Sequence, residues 1–346
     1  MKLIGAGAVA ALTVSFIANL ANAGVVNVSY SSPSLDRWFY PFNFAAGTES
    51  SAPTFGAILV DGFDDRDSQF IIGFNTSTEV QPGLPRAAYK IRAARVRVSV
   101  SADNQARYDT TPISYQSLLP DTDPDYIPDP TVGKPTELFG VSFRNGISNA
   151  TFAEDTPNFN GNPNGESLRS ANDADIDTSL IPTDVSNQIT NRFNAQPFAI
   201  GTTSTVNPGD LMPAATELTF DIDLCASGAK AYFQQSLRDG RILLNISSLE
   251  PAAGGPGGGT GDPTYPAFYT KENATAAAIN ALPKLQLTVQ VGPISDMNAD
   301  DGVTIDDLLD FLEAFSSGSL DADLNSDCGI TIDDLLDYLD AFQQGL

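Results

Sequence analysis

The chain has 346 residues, 43 acidic against 18 basic side chains, no histidine, and a formal net charge of −25. So large an excess of carboxylates disfavours nucleic acid and anionic membrane surfaces as partners, because both select for Lys and Arg. The lack of histidine removes Ser-His-Asp and Cys-His catalysis, HExxH zinc sites and imidazole acid–base chemistry.

Residues 1–23 read MKLIGAGAVAALTVSFIANLANA. Lys2, an apolar run to Leu20 and the Ala21-Asn22-Ala23 sequence make a secretory signal cleaved after Ala23. The expected location is extracellular or at the cell surface. No cysteine lies near the cleavage site, and no later stretch is apolar enough to span a bilayer.

From residue 24 to 291 the pattern is β. Val26-Val28-Tyr30, Val96-Val98-Val100, Leu218-Phe220-Ile222-Leu224 and Leu285-Leu287-Val289-Val291 alternate with polar residues. Period-two runs with one apolar face predict antiparallel sheets packed face to face. Ser68–Phe74, Glu137–Phe143 and Arg241–Ser248 are shorter candidate strands, and Ala229 to Leu237 predicts a short helix closed by Gly240. The connections are long and rich in Pro, Asp, Asn and Gly, as in 108–134, 156–194 and 254–263. The expected architecture is one jelly-roll-like antiparallel β-sandwich with long rim loops, followed by a small all-α module over 292–346.

No GxSxG, P-loop or GxGxxG element follows a candidate strand. A pair of carboxylates alone can hydrolyse a glycosidic bond, and Asp61, Asp64, Asp65 and Asp67, or Asp121, Asp123 and Asp125, are candidates. Acidic loop clusters in an acidic chain read more simply as solvated turns. Asp173, Asp175 and Asp177 alternate as in an oxygen-rich cation loop but lack a following helix and a twelfth-position acid. Trp38, Phe39, Tyr40, Phe42 and Phe44 are either core residues or a stacking platform for sugar rings. Cys225 and Cys328 are the only cysteines. An oxidising compartment would let them pair, but pairing needs Cα atoms within about 7 Å. Two separate thiols, one at a strand end and one in a loop, is the reading adopted from the sequence.

The tail repeats itself. Asp296 to Phe315 reads DMNADDGVTIDDLLDFLEAF, and Asp323 to Phe342 reads DLNSDCGITIDDLLDYLDAF, 27 residues on without a gap. Asp296, Asn298, Asp300, Gly302, Thr304 and Asp307 recur as Asp323, Asn325, Asp327, Gly329, Thr331 and Asp334. Oxygen ligands at loop positions 1, 3 and 5 and a carboxylate at 12, just inside a helix, suit a hard cation with six to eight oxygens, and calcium fits better than magnesium. Two Ca2+ ions are expected, one per loop. From Gly292 onward there are fourteen acidic residues and no Lys or Arg, so folding and cation binding are expected to be one event. Leu308, Leu309, Phe311, Leu312 and Phe315 form an apolar stripe with its twin in Leu335, Leu336, Tyr338, Leu339 and Phe342, and Val303 and Ile330 are expected to pair between the loops.

This duplicated unit resembles the type I dockerins, calcium-folded modules of secreted proteins, and the wording G-[VI]-T-I-D-D-L-L is similar to dockerin-like tails of secreted planctomycete proteins. The resemblance covers about residues 294–346. One departure is that loop position 6, usually Gly, is Asp301 or Cys328, with Gly302 and Gly329 one residue later. The resemblance implies docking to a cohesin-like or other surface protein, with Ile305, Asp306, Ile332 and Asp333 at the positions that set partner choice. Hydrophobic Ile there differs from the small hydroxyl pair of many cellulosomal dockerins. The stretch 215–291, with Phe268-Tyr269-Thr270-Lys271-Glu272 before its last strand, resembles secreted jelly-roll modules that bind carbohydrate. Two functions are thus expected in competition: a non-catalytic secreted protein attached through its tail, or a polysaccharide-binding module or glycoside-active enzyme delivered by that tail.

Overall fold

Alternating apolar residues build the first sheet of the computed structural model, which describes residues 24–144, 146–156, 170–176, 182–254, 257–300, 302–325 and 327–345. The proposed signal segment lies outside the described residues. Strands β1 (Gly24–Tyr30), β2 (Leu35–Phe39), β3 (Ser51–Pro53), β4 (Gln69–Asn75), β5 (Tyr89–Ser99), β6 (Glu137–Ser142), β7 (Ser170–Ile176), β8 (Pro182–Asp184), β9 (Ala199–Ile200) and β10 (Glu217–Asp221) lead to helix α1 (Ser227–Asp239). Then come β11 (Arg241–Ser247), β12 (Ala267–Tyr269), the short helix α2 (Ala274–Ala278), β13 (Lys284–Val291), and the tail helices α3 (Ile305–Ser317) and α4 (Ile332–Gln344). Among the described residues no helix is long and apolar enough to cross a membrane.

One sheet runs β1-β13-β5-β10, all antiparallel, and places Val28 opposite Leu287, Leu285 opposite Val96 and Val98 opposite Leu218. The other runs β2-β4-β11-β6-β7-β8, with β9 pairing β6. Val96, Val98, Phe220, Leu285 and Leu287 of the first sheet share a core with Phe70, Ile72, Phe74, Leu244 and Ile246 of the second. The protein is therefore mainly β with antiparallel sheets, consistent with a β-sandwich. Sheet β2–β8 is covered on its other face too, where Leu35, Ile71, Val141 and Leu243 meet Phe152 from a loop. Burial on both faces explains why β4 and β11 are near-continuous apolar runs rather than alternating ones.

Helix α1 ends where expected, at Gly240, whose φ of 77° gives the left-handed cap that a residue without Cβ adopts freely. It lies against β6 and β11. The Tyr232 hydroxyl accepts from Val141 N (2.9 Å) and donates to Leu243 O (2.6 Å). A Cβ on Gly140 would come 2.7 Å from the Tyr232 ring, so β6 needs glycine there.

The acidic segment 61–67 departs from the expectation of a solvated turn. Asp64, Asp65 and Asp67 are buried, and only Asp61 is exposed. Asp65 accepts from the N–H groups of Leu59, Ile189 and Thr190 and from the Thr190 hydroxyl at 2.8–3.1 Å. Asp64 accepts from Asn187 (2.7 Å) and pairs with Arg144. These carboxylates satisfy backbone donors that two packed loops would otherwise bury unpaired. Asp123 and Asp125 flank Arg192 at 2.6 and 2.8 Å on the surface. Asp177 and the side chains of Asp173 and Asp175 lie outside the described residues.

Arg66 is wholly buried. It pairs with Glu137 at 2.7 Å, bonds Gln188 and Ser247, and sits 4.5 Å above the Phe139 ring. Cutting one partner strands the other charge in the core. Glu137→Ala is expected to cost about 3–5 kcal/mol, read as a lower urea midpoint. A loss under 1 kcal/mol would show that Gln188 and Phe139 suffice for the guanidinium.

The tail is bonded to the central strands β5 and β13 of the first sheet and is covalently held. Cys225 and Cys328 form a disulfide with a Cα–Cα distance of 5.3 Å, so the reading of two separate thiols is corrected. The distance that pairing requires is met because the fold brings the segment after β10 beside the second tail loop, a proximity that no local pattern reports. Arg92 on β5 pairs with Asp321 (2.7 Å), Lys90 donates to the Asp321 carbonyl, and Gln290 on β13 donates to the Asp296 carbonyl.

Candidate metal centre

Each tail loop is organised by the first-turn carboxylate of the helix that follows it. In α3, Asp307 Oδ1 accepts from Met297 N (2.8 Å) and Asn298 N (3.2 Å), and Oδ2 from Thr304 N (2.8 Å) and Thr304 Oγ1 (3.2 Å). In α4, Asp334 Oδ1 accepts from Leu324 N (2.9 Å) and Asn325 N (3.3 Å), and Oδ2 from Thr331 N (2.9 Å) and Thr331 Oγ1 (3.4 Å). Thr304 and Thr331 are helix N-caps, and each forms a capping box with its Asp. Both Asp side chains are buried. Burial raises the Asp307 pKa, but the N–H groups of Thr304, Asn298 and Met297 outweigh it and hold this carboxyl below the usual range.

The loop turns repeat as closely. Asp300 N donates to Asp296 and Asn298 and Gly302 N to Asp300; Asp327 N donates to Asp323 and Asn325 and Gly329 N to Asp327. In the first loop, carboxylate oxygens of Asp296, Asp300 and Asp307 lie within 4.8 Å of one another and could hold a metal ion. The donor set, all oxygen, fits a hard cation. Cys328, at position 6 of the second loop, takes φ 59°, a left-handed conformation that a Cβ makes costly, and its N–H donates to Asp323 Oδ2 at 2.9 Å. Asp301, its counterpart, lies outside the described residues. Gly302 and Gly329 do not take the positive φ, so the sharp turn of the second loop falls on the cysteine.

Between the loops the helices share a small core. The Phe311 and Tyr338 rings stack at 4.0 Å, surrounded by Leu308, Phe315, Leu335 and Phe342. The apolar stripes do not turn inward as a whole: Leu309, Leu312, Leu336 and Leu339 are exposed. With Ile305 and Ile332, each 60% exposed, they form two matching apolar rows at helical spacing i, i+4, i+7. Asp306 and Asp333 are exposed beside them. Ile330 packs against the helix core, while neither it nor Val303 belongs to a strand or bridge, so the expected inter-loop pairing is not formed.

The body holds groups that sequence reading did not single out. Asp36 on β2, Glu154 and Glu272 bring carboxylate oxygens within 4.8 Å of one another. The only hint was a charge inside the apolar strand LDRWF and the glutamate of the FYTKEN segment. Glu250 is buried and accepts from Lys134 N at 2.8 Å; burial pushes its pKa up to about 7 against the lowering effect of Lys134. An aromatic ladder crosses one end of the body, where Trp38 stacks on Tyr40 (5.3 Å), Tyr40 meets Phe42 and Phe55, and Phe55 meets Tyr265. Phe39 is core and Phe44 is exposed. No family model and no curated protein matches the chain.

Proposed function

We propose that this is a secreted, non-catalytic attachment protein: a jelly-roll-like β body displayed to the surroundings, and a dockerin-like tail that holds two calcium ions and docks a partner protein. The observation that carries the reading is the repeated loop–helix unit, matched bond for bond around Asp307 and Asp334 and leading in both copies to an exposed apolar row. Solvated acidic helices have no need of a ligand order that repeats residue by residue. Asp296, Asn298, Asp300 and Asp307 would hold one ion, and Asp323, Asn325, Asp327 and Asp334 the other, with Thr304 and Thr331 capping the helices. Ile305, Leu309 and Leu312, or Ile332, Leu336 and Leu339, would meet a cohesin-like groove, and the near-identity of the rows lets either face dock. Exposed apolar rows of this size mark contact surfaces.

The test uses the full chain in its native host, because truncating the tail would also remove the disulfide. Changing Ile305, Leu309, Ile332 and Leu336 together to Ser is expected to release the protein from the cell surface into the medium without altering its melting temperature. Unchanged retention sinks the attachment reading. The aromatic ladder supports a second reading, in which the body binds polysaccharide through Trp38, Tyr40 and Phe42, since sugar faces stack on half-exposed rings. Retarded migration in gels containing polysaccharide, lost in Tyr40→Ala, would favour it.

A further inference from the structure

Asp36 lies in β2 with 0% of its surface exposed. Its Oδ2 accepts from Lys271 N at 2.6 Å, whereas its Oδ1 is buried and has no hydrogen-bond partner. Glu154, from the loop after β6, accepts the Asp36 N–H at 2.9 Å. Glu272 follows β12 in the FYTKEN turn. Among the described residues the cation paired with these acids is the Lys271 ammonium, 2.7 Å from Glu154, in contact with Glu272, and 4.0 Å from Asp36 Oδ1. A single ammonium facing three carboxylates leaves two negative charges, one of them on a group with no access to water. Leaving such a charge uncompensated in the interior is costly.

We propose that Asp36, Glu154 and Glu272 are the ligands of a calcium ion in the β body, separate from the tail loops. Asp36 Oδ1 is buried without a hydrogen bond, and the three carboxylates, with oxygens within 4.8 Å of one another, come from three chain segments that only the fold brings together. A divalent ion in place of the Lys271 ammonium brings two positive charges, rather than one, to the three carboxylates. The Lys271 side chain is 23% exposed, so it can turn toward water and leave room for the ion. Glu154 also lines an open cleft of about 750 Å³ with Ser34, Asn75, Asn149 and Asp155, so this ligand is reached from solvent. Calcium accepts such an irregular, partly hydrated oxygen set, whereas magnesium demands a regular octahedron. The bound ion would tie β2 to the loop after β6 and to the turn after β12.

The test is calorimetric titration of the full chain with CaCl2, compared with Glu272→Gln and Lys271→Met. Glu272→Gln is expected to bind one ion fewer than the parent chain, whether or not the tail loops bind, so failure of the tail reading changes both totals and leaves the difference of one. Lys271→Met removes the competing ammonium and is expected to bind that ion about tenfold more tightly, with a melting temperature that falls in chelator and recovers in calcium. Equal stoichiometry in parent and Glu272→Gln overturns the proposal. So does a Lys271→Met chain destabilised equally with and without calcium, since the acids would then be a salt-bridge network only.

Discussion

Replacing Cys225 and Cys328 by Ser, or reducing the disulfide, is expected to destabilise the protein by about 2–5 kcal/mol and to loosen the tail from the body. The bridge spans 103 residues of sequence, so its loss restores a large loop freedom to the unfolded chain. Among the described residues the junction also holds the Arg92–Asp321 pair, part-exposed and worth little alone, and the Lys90 and Gln290 bonds to backbone carbonyls. Urea unfolding with and without a dithiol reads the loss, and small-angle scattering reads the separation of tail from body. Cys328→Gly separates two effects. It loses the bridge as Cys328→Ser does, but it relieves the left-handed backbone at φ 59°. The Gly variant is therefore expected to be the more stable of the two by about 1 kcal/mol. Equal stability would mean that the turn is not strained by its side chain, and reduction without effect would mean that the junction holds unaided.

Asp307→Ala is expected to abolish cation binding at the first loop and to unravel the start of α3, while the sheets persist. The carboxylate serves the loop twice: its two oxygens anchor Met297, Asn298 and Thr304, and the same group is the position-12 ligand of the proposed site. Hydrogen bonds to a charged acceptor contribute about 1.5–3 kcal/mol each, so the loss exceeds that of an ordinary surface change. Asp334→Ala is expected to act in parallel on the second loop, with a smaller loss of structure because the disulfide still holds Cys328. Circular dichroism during calcium titration checks both: the parent gains helicity, each single variant about half of it, and the double variant none. Chelator is expected to mimic the double variant. Acid acts in the same direction. Asp307 has a lowered folded-state pKa, so its contribution is present above the ordinary Asp value of about 4 and is lost as pH falls through the folded value below it. Helicity indifferent to calcium in every chain would remove the basis for the tail assignment.

Much of this was legible in the residues. The alternating runs at 96–99, 218–221 and 285–291 became strands of one sheet, because period two has one way to bury a single apolar face. The Ala229–Leu237 helix and its Gly240 cap were legible for the same local reason. Strand β2 was not, because Asp36 and Arg37 break its apolar pattern and both become buried only when other segments cover them. The burial of the acids of 61–67 was not legible, since donors that hold them belong to residues 187–190, far away in sequence. The helix stripes were legible only in part. Periodicity marks an apolar face, but a two-helix tail is too small to cover all of it, so Leu309 and Leu336 stay outside.

The sequence by itself determined the strands with a single apolar face, the cap and carboxylate order of each tail loop, and the doubling of that unit, because each is set by contacts within about a dozen residues. The tertiary structure decided what depends on distant partners: the joining of Cys225 to Cys328, the burial of Asp64, Asp65 and Asp67, and the meeting of Asp36, Glu154 and Glu272. Composition and periodicity report whether a residue wants a partner. Only the folded chain says which group, from which remote segment, arrives to meet it.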